Sequence, residues 1–536
     1  SNTKRKLLQG GFAKLLTIRR FGKLPCAGLS FFGGFAFFFL PRPAFFFFLC
    51  FSSENRREPT KISCTIGQTM LYCFHYERKC KAAAMKLFTK DRDFYRSLIA
   101  LSVPIALQNL VTFAVGLLDN LMIGALGDAA VSGVYMGMQI QTLLQVFSGG
   151  IEGAILILAA QYWGKRDTES IRKIVAIGMK FSLGFGAVLT ALCALFPTFI
   201  ISLFSKDESV IESGVEYLGI LCFSFLFFCL TQALIAAMRS VETARIGLYV
   251  SLVSLVINGV LNYILIFGKL GAPALGIRGA ALATLFARVA ESVIIVVYIL
   301  FFDRKLRFRF SELLRHDRAL LRDFIRYGTP IVAGQLVWAT NMLAGAAIMG
   351  RLSKAAVTGV SITNTLNNLA YVVMNGMAGA VGIITGKTIG EGKEEKMKEY
   401  AVTVQILFLV LGIFTGGALF LLRDPFISLY NVTPEAMEYA RQFITVLSVT
   451  VIGTCYQCAC LFGLVKSGGD IAFVFKNDAI FVFLVVLPSA LLALSLGAAP
   501  WIVFTCLKCD QVLKCIVAFF KIRRYDWIKN LTVKNA

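Results

Sequence analysis

The hexapeptide AAVSGV at residues 129–134 returns as AAVTGV at residues 355–360, in the second half of the chain. Other pairs of matching residues are separated by the same offset or differ from it by one: Pro104 with Pro330, Gly124 with Gly350, Gly164 with Gly390, and Arg239-Ser240 with Lys466-Ser467. One match would be chance, but several at a nearly constant offset indicate a duplication. The sequence therefore predicts two structurally equivalent halves.

Apolar runs fill both halves. Of the 536 residues, 57% are hydrophobic and 16% are charged, whereas soluble domains average about 45–50% and about 25%. From residue 97 onward the apolar runs are long enough to cross about 30 Å of hydrocarbon as helices. We predict twelve membrane spans, near residues 97–121, 130–162, 173–203, 210–238, 246–268, 277–302, 322–349, 356–388, 398–421, 435–464, 472–496 and 499–521.

The predicted fold is an all-α membrane protein of two six-helix lobes, residues 85–302 and 322–536, joined by a basic linker at 303–321. Because six is even, both halves enter from the same side as parallel repeats. Loops on one side carry 25 Lys or Arg against six on the other, which predicts that both termini are cytoplasmic. The formal charge of +23 is then largely topological, and no nucleic-acid partner is expected.

The segment before Met85, residues 1–84, differs in composition from the rest of the chain. It contains fourteen Lys or Arg and three acids. Its apolar run, residues 31–51, is interrupted by Pro41, Arg42 and Pro43, which makes it a poor span because prolines remove helix donors and a lone cation is costly in hydrocarbon. It also lacks the cleavage site of a signal peptide. We predict an extension without folded structure, with Met85 as the candidate start of the native protein.

Several local patterns resemble those of the multidrug and toxic compound extrusion transporters, the MATE family. The resemblance covers roughly residues 95–532. It rests on four stretches in the family's order and spacing: LLDNLMIGALGDAAVSGV (117–134), LAAQYWGKRD (158–167), INGVLNYILIFG (257–268) and GIRGAALAT (276–284). The resemblance implies two lobes facing a central cleft that opens alternately to the two sides of the membrane. It also implies export of bulky, often cationic compounds in exchange for H⁺ or Na⁺.

Asp119 is the main candidate for ion coupling. An acid inside a span is costly and marks a functional site, and hydrocarbon around Asp119 favours the protonated form until the cavity wets or a cation arrives. Asn258 and Asn262 share one helix face. The resemblance implies a first-lobe cation site at Asp119, Asn258, Asn262 and Thr284, with Asn262 standing where the family has an acid. With one carboxylate left, we expect H⁺ in preference to Na⁺; hydrogen bonding between helices is the alternative role.

The remaining candidates concern the substrate cleft and the motion of the lobes. Glu152, in the second span, is either a carboxylate that recognises cationic substrates or a helix-packing group. Flexible thioethers suit a surface that accepts many ligands, so Met136, Met138, Met374 and Met377 are weaker cleft candidates, with apolar packing as the alternative. Pro104 allows the first span to bend. Opposite charges nearby predict that Arg288 neutralises Glu291 and that Lys508 and Lys514 neutralise Asp510.

The function expected is a cation-coupled multidrug antiporter in the plasma (inner) membrane. It would be a monomer that acts on small organic compounds within the lipid bilayer and needs no cofactor or structural metal. An ATP-driven pump is disfavoured because the sequence has no G-x-x-x-x-G-K-[ST] loop, and an enzyme because it has no H-E-x-x-H or G-x-S-x-G motif. The alternative is a flippase for lipid-linked saccharides on a related two-lobe plan, which would need cations in its cleft.

Overall fold

The computed structural model describes residues 29–32, 35–38, 88–314 and 317–532. Two short strands, β1 (Leu29–Phe32) and β2 (Phe35–Phe38), form an antiparallel pair in a unit separate from the rest of the chain. The predictions for residues 1–84 otherwise fall outside the described residues, and so does Met85.

The first half of the membrane unit contains eight helices. Asp91 caps the first of them through a hydrogen bond from Asp93 N, and Asp167 caps the third through one from Ser170 N, which satisfies amide donors that have no partner inside a helix. The helices are α1 (Arg92–Gly124), α2 (Asp128–Gly164), α3 (Thr168–Leu195), α4 (Pro197–Ser202), α5 (Glu208–Leu221), α6 (Ser224–Ser240), α7 (Arg245–Phe267) and α8 (Gly276–Val297).

The second half repeats the pattern after a linker that contains a 3-10 turn at Phe310–Leu314. Its helices are α9 (Arg318–Met349), α10 (Lys354–Gly390), α11 (Glu394–Ile427), α12 (Pro434–Gln457), α13 (Ile471–Ile480), α14 (Leu487–Ser495), α15 (Pro500–Lys508) and α16 (Asp510–Arg524). π-helical turns follow α8, α12 and α13 at Tyr298–Phe302, Cys458–Lys466 and Phe481–Val486. We call α1–α8 the first lobe and α9–α16 the second lobe.

The predicted spans agree with these helices. In the described part of the chain, ten helical segments are long and apolar enough to cross a membrane, and α5 and α6 form an eleventh span bent by 51°. The twelfth predicted span, residues 499–521, contains α15 and α16. Those two helices, of 9 and 15 residues, are each too short to cross a membrane alone, and Lys508 and Asp510 flank the break between them. The fold is the predicted all-α, twelve-helix membrane protein, and its twelfth helix is broken where its charges lie.

The lobes pack closely where α2 and α10 end. A Cβ on Gly386 would lie 2.8 Å from Ala160 Cβ, and one on Gly390 would overlap the carbonyl oxygen of Gln161. A Cβ on Gly164 would likewise overlap Lys387 O. Backbones approach this closely only where side chains are absent. The duplicated pair Gly164 and Gly390 is therefore explained by the crossing of the two equivalent helices.

Polar contacts join the lobes at the same end, which we call the basic end because the Lys- and Arg-rich loops lie there. Lys387 Nζ lies 2.8 Å from Glu242 Oε1, and Gln161 Nε2 donates to Ser467 O and to Lys529 O at 3.3 Å each. At the other end, Gly133 approaches Ser213 and Gly359 approaches Tyr439, contacts that stay within one lobe. The described contacts thus hold the lobes together at the basic end.

Gly390→Ala tests this helix crossing. The added methyl group has no room beside Gln161, so α2 and α10 must separate, at a cost of about 1–3 kcal/mol. Thermal unfolding of the purified protein in detergent measures the loss of stability. Gly417→Ala in α11 is the matched control, because nothing lies within 4 Å of a Cβ there. Equal melting temperatures for the two variants would contradict the close packing.

Asp91 fixes the start of α1 to the second lobe. Its carboxylate accepts hydrogen bonds from Tyr400 Oη at 2.6 Å and from Lys396 Nζ at 3.1 Å. The Tyr400 hydroxyl and the Lys396 ammonium lower the pKa of Asp91 from 3.8 to about 2. Because the pKa is lower in the folded state, this contribution to stability is complete above the unfolded-state pKa and is lost as the pH falls toward 2.

Asp91→Asn should therefore destabilise the protein at pH 7 by about 1–2 kcal/mol. The difference from the wild type should shrink as the pH falls from 4 toward 2, because the wild-type carboxyl then becomes neutral as well. Thermal unfolding in detergent over this pH range provides the measurement. A difference that stayed constant with pH would show that the charge of Asp91 is irrelevant to the contact.

Candidate functional site

The first lobe encloses a polar cavity of about 390 Å³ between α1, α2, α5, α6, α7 and α8. Its lining includes three carboxylates, those of Asp119, Glu152 and Glu291, together with the guanidinium of Arg288. The rest of the lining is mostly amides, hydroxyls and aromatic rings. This combination of a few charges with neutral polar and aromatic groups is typical of a small-molecule site.

The predicted coupling residues meet at one wall of this cavity. Asn262 Nδ2 donates to Asp119 Oδ1 at 2.5 Å and to Asn258 Oδ1 at 3.2 Å. Asp119 is 8% exposed, and both asparagines are 1% exposed. Thr284 is also buried and lines the cavity, but its hydroxyl donates to Ala280 O, one turn earlier in its own helix. The structure brings Asp119, Asn258 and Asn262 into one hydrogen-bonded cluster, with Thr284 on the same cavity.

One acceptor in this cluster has no partner. Asn262 Oδ1 is buried and receives no hydrogen bond within the described part of the chain. Buried polar atoms are nearly always satisfied, and an orphaned one needs an explanation such as an ion or a water. Asn262 therefore offers a free oxygen beside the Asp119 carboxylate.

Glu152 is paired with a cation. Its Oε1 accepts from Arg239 NH1 at 2.6 Å, and Arg239 NH2 donates to Gln108 Oε1 at 2.8 Å. Arg239 lies in the last turn of α6, and its side chain is 13% exposed. From the sequence, Arg239 counted only as a cation of a basic-side loop. Its match with Lys466 in the repeat was the signal that could have identified it.

The third carboxylate of the cavity is also neutralised. Arg288 NH1 donates to both oxygens of Glu291, at 2.9 and 2.8 Å, which is the intrahelical pair that the sequence predicts. Among the three carboxylates of this cavity, and within the residues described, Asp119 alone makes no ion pair. A carboxylate without a counter-ion is the one that can bind or release a proton or a cation at the lowest cost.

The other candidates lie in different surroundings. Met138 lines the first-lobe cavity, while Met136 packs partly buried against the core of that lobe. Met374 is fully buried beside Cys455, and Met377 is partly buried against a cluster that includes residues of α1, α10 and α11. Their role in the cleft stays a prediction.

Pro104 is buried inside α1, which continues through it as a helix. Two residues later, Ala106 lies 2.7 Å from the position of a Cβ on Gly376 in α10. The proline therefore lies next to the contact between α1 and the second lobe, and its role in bending also stays a prediction.

A second charged cluster contains the Asp510–Lys514 pair that the sequence predicts, together with an acid that it does not, Asp478. In the second lobe, Lys514 Nζ lies 2.9 Å from Asp478 Oδ1 and 3.0 Å from Asp510 Oδ2. These residues line a cavity of about 490 Å³ that also contains Lys466 and Lys508. The sequence-based interpretation concentrated the buried acids in the first lobe and overlooked Asp478, because a single acid in an apolar run gives no sign of its distant partner.

Comparisons with known proteins agree on one family. The MatE family model matches residues 104–264 and 330–492, the two predicted halves. A probable multidrug resistance protein NorM of Agrobacterium fabrum is 25% identical over 366 residues, 68% of this chain and 78% of NorM. A multidrug resistance protein MdtK of Edwardsiella ictaluri is 25% identical over 420 residues, 76% of this chain and 89% of MdtK.

The eukaryotic MATE transporter AtDTX14 has the same fold, with a TM-score of 0.72 at 19% identity over 82% of this chain and 97% of that one. The family model covers five of the six predicted spans in each lobe and more than half of the chain. The chain belongs to the MATE family of membrane transporters.

Proposed function

We propose that this chain is a multidrug efflux antiporter that exports bulky organic compounds, cations among them, in exchange for inward H⁺ bound at Asp119. The observation that carries the proposal is the unpaired Asp119 carboxylate, buried in a cavity whose other two acids are each held by an arginine. Relatives named as multidrug resistance proteins support the substrate class.

Protonation of Asp119 has a direct structural consequence. The charged carboxylate accepts a strong hydrogen bond from Asn262, which ties α1 to α7. A neutral carboxyl group is a weaker acceptor, so protonation loosens this tie. The proton and a cationic substrate both compensate the same negative charge, and they therefore compete. This competition is what an exchanger requires, because each ligand must leave before the other binds.

The pairing of Glu152 with Arg239 bears on its proposed part in substrate recognition. While that ion pair is closed, Glu152 offers little free charge to an organic cation. Asp119 is then the principal anionic contact in the first-lobe cavity. Met138, Phe228 and Tyr217 supply its apolar and aromatic lining, which suits flat, hydrophobic cations.

The choice of H⁺ over Na⁺ rests on the number of charged ligands. Na⁺ would receive one carboxylate, from Asp119, and neutral oxygens such as the free Asn262 Oδ1. A second carboxylate at residue 262 would add charge to that set, but this chain has an amide there. A proton needs only the single acid.

The proposed location is the plasma or inner membrane, as a monomer, with the basic end in the cytoplasm. The many Lys and Arg residues at that end support this orientation. Contacts between the lobes at the basic end would leave the cleft open toward the exterior. The opposite arrangement, open to the cytoplasm, requires the Gln161 and Glu242 contacts to break.

Asp119→Asn should abolish exchange driven by a pH gradient. In proteoliposomes a gradient of one pH unit is worth about 1.4 kcal/mol, enough for a gradient of about tenfold in a monovalent cation exchanged one for one with H⁺. The fluorescent cation ethidium reports the transport. We expect the wild type to accumulate the dye against its gradient, and Asp119→Asn to let it only equilibrate.

Glu435→Gln, an exposed acid in the first turn of α12, serves as the matched control and should transport as the wild type does. Detergent-solubilised Asp119→Asn should remain monodisperse, since the amide can still accept from Asn262. Uphill transport by Asp119→Asn at the wild-type rate would refute the role given to Asp119.

Asn262→Asp should move the coupling from H⁺ toward Na⁺. The change places a second carboxylate next to Asp119, and two acids attract a hard cation more strongly than one. We expect the apparent Na⁺ affinity, measured from dye transport at a series of Na⁺ gradients, to rise by about tenfold or more. Asn431→Asp in an exposed loop controls for added charge. An unchanged Na⁺ dependence in Asn262→Asp would contradict the cation site.

A further inference from the structure

Lys466 in the second lobe is a cation without the carboxylate partner that its counterpart Arg239 has in the first lobe. Arg239 in the first lobe is bound to Glu152 at 2.6 Å, and Lys466 is the residue that matches Arg239 in the repeat. At the offset that separates the two hexapeptides, the position equivalent to Glu152 is Ala378. Ala378 and Lys466 line the same cavity. The arrangement of the first lobe is therefore repeated in the second without its carboxylate.

Lys466 faces open space between the lobes. Its Nζ lies 3.9 Å from where a Cβ would stand on Gly153 of α2 and 5.5 Å from the ring centre of Phe462. Lys508 lines the same cavity, with its Nζ 5.9 Å from the ring centre of Phe504. Within the described residues, neither ammonium lies within 4.0 Å of a carboxylate oxygen. In that part of the chain both are cations without an ionic partner.

The acids of this cavity are already engaged. Asp478 and Asp510 are both bound by Lys514, at 2.9 and 3.0 Å. With three lysines and two aspartates in its lining, the cavity has a formal charge of +1. The first lobe has three acids, Asp119, Glu152 and Glu291, and two arginines bound to two of them. Its formal charge there is therefore −1. The two lobes therefore offer opposite charge.

An ammonium without a counter-ion inside a membrane protein is costly and marks a functional site. The cavity has room for a ligand that would offset the cost, at about 490 Å³. Trp338 and Tyr371 add aromatic surface, and Asn341 adds a buried side-chain oxygen with no partner among the described residues. An aromatic molecule with an acidic group matches the two free cations and the apolar walls.

We propose that this second-lobe cavity is an anion subsite, in which Lys466 and Lys508 bind the carboxylate of an aromatic organic substrate. The chain would then handle zwitterions and organic acids as well as cations. This inference rests on the proposed efflux function for its physiological meaning, but the subsite itself is a matter of binding and can be measured without transport.

Two dyes that differ only at one carboxylate measure how much this group contributes to binding. Rhodamine 19 carries a free carboxylate, and rhodamine 6G is its ethyl ester with the same xanthene ring system. Fluorescence anisotropy with the purified full chain in detergent gives an association constant for each dye, and the acid-to-ester ratio is the readout. We expect this ratio to exceed one in the wild type. It should fall by about tenfold or more in the double variant Lys466→Gln, Lys508→Gln, because each charge-assisted hydrogen bond is lost.

Two further variants separate charge from general damage. Lys466→Arg with Lys508→Arg keeps both charges and should keep most of the ratio. Lys206→Gln, an exposed lysine outside the cavity, should leave the ratio at the wild-type value. A wild-type ratio at or below one overturns the proposal, whether or not the glutamine variant folds. A ratio unchanged in a glutamine variant that binds both dyes also overturns it.

The anion could instead come from a lipid phosphate, which a competition experiment distinguishes. The short-chain lipid dihexanoylphosphatidylglycerol is added as a competitor for bound rhodamine 6G, to the wild type and to the double glutamine variant. The proposal that the lysines bind a substrate carboxylate is overturned if the lipid displaces the dye only when both lysines are present and the affinity for rhodamine 19 is the same with and without them. Failure of the efflux function would be seen elsewhere, as absence of gradient-driven rhodamine 6G transport in proteoliposomes. That result leaves the binding ratio, and the subsite it tests, as an independent finding.

Discussion

The cost of burying charge in hydrocarbon governs this molecule. Each charged side chain inside the bundle must find a partner, remain neutral or be stabilised by a ligand. Glu152, Glu291 and Lys514 are stabilised by partners within their own lobe, at distances of 2.6 to 3.0 Å. These pairs cost little once formed and hold helices in place. What remains unpaired in the described cavities, Asp119 on one side and two lysines on the other, is where a ligand can supply the missing charge.

The contact between the lobes follows from a different constraint, the absence of side chains. Helices α2 and α10 approach so closely at Gly164 and Gly390 that backbone meets backbone. Such packing weakens steeply as the lobes separate, because a gap of about 1 Å already forfeits up to about half of the van der Waals attraction. The Lys387–Glu242 ion pair and the Gln161 hydrogen bonds lie around the same crossing. Together they fix the lobes to each other at the basic end by both close packing and polar contacts.

Much of the fold was predictable from the sequence because it rests on local and periodic information. Long apolar runs indicated the spans, and the constant offset between matching residues indicated the two lobes. The spacing of Asn258 and Asn262 predicted that they share one helix face, whereas their meeting with Asp119 was predicted only through the family resemblance. The pairing of Asp510 with Lys514 was predictable because the two residues lie one helical turn apart, but the contact of Lys514 with Asp478 was not, because Asp478 comes from a different helix. Arg239 and Lys466 were misinterpreted as loop charges because a cation near the end of a helix carries no sign of its side-chain direction.

The two lobes differ in charge at positions that match in the repeat. Two equivalent lobes around one cleft would present the same chemistry twice, whereas here Glu152 corresponds to Ala378 and Asp119 to Gly345. Loss of both acids from the second lobe removes negative charge and leaves Lys466 facing the cavity. The backbone repeat is therefore retained while the charges that line the two cavities differ, and a substrate with charges of both signs would meet a different surface on each lobe.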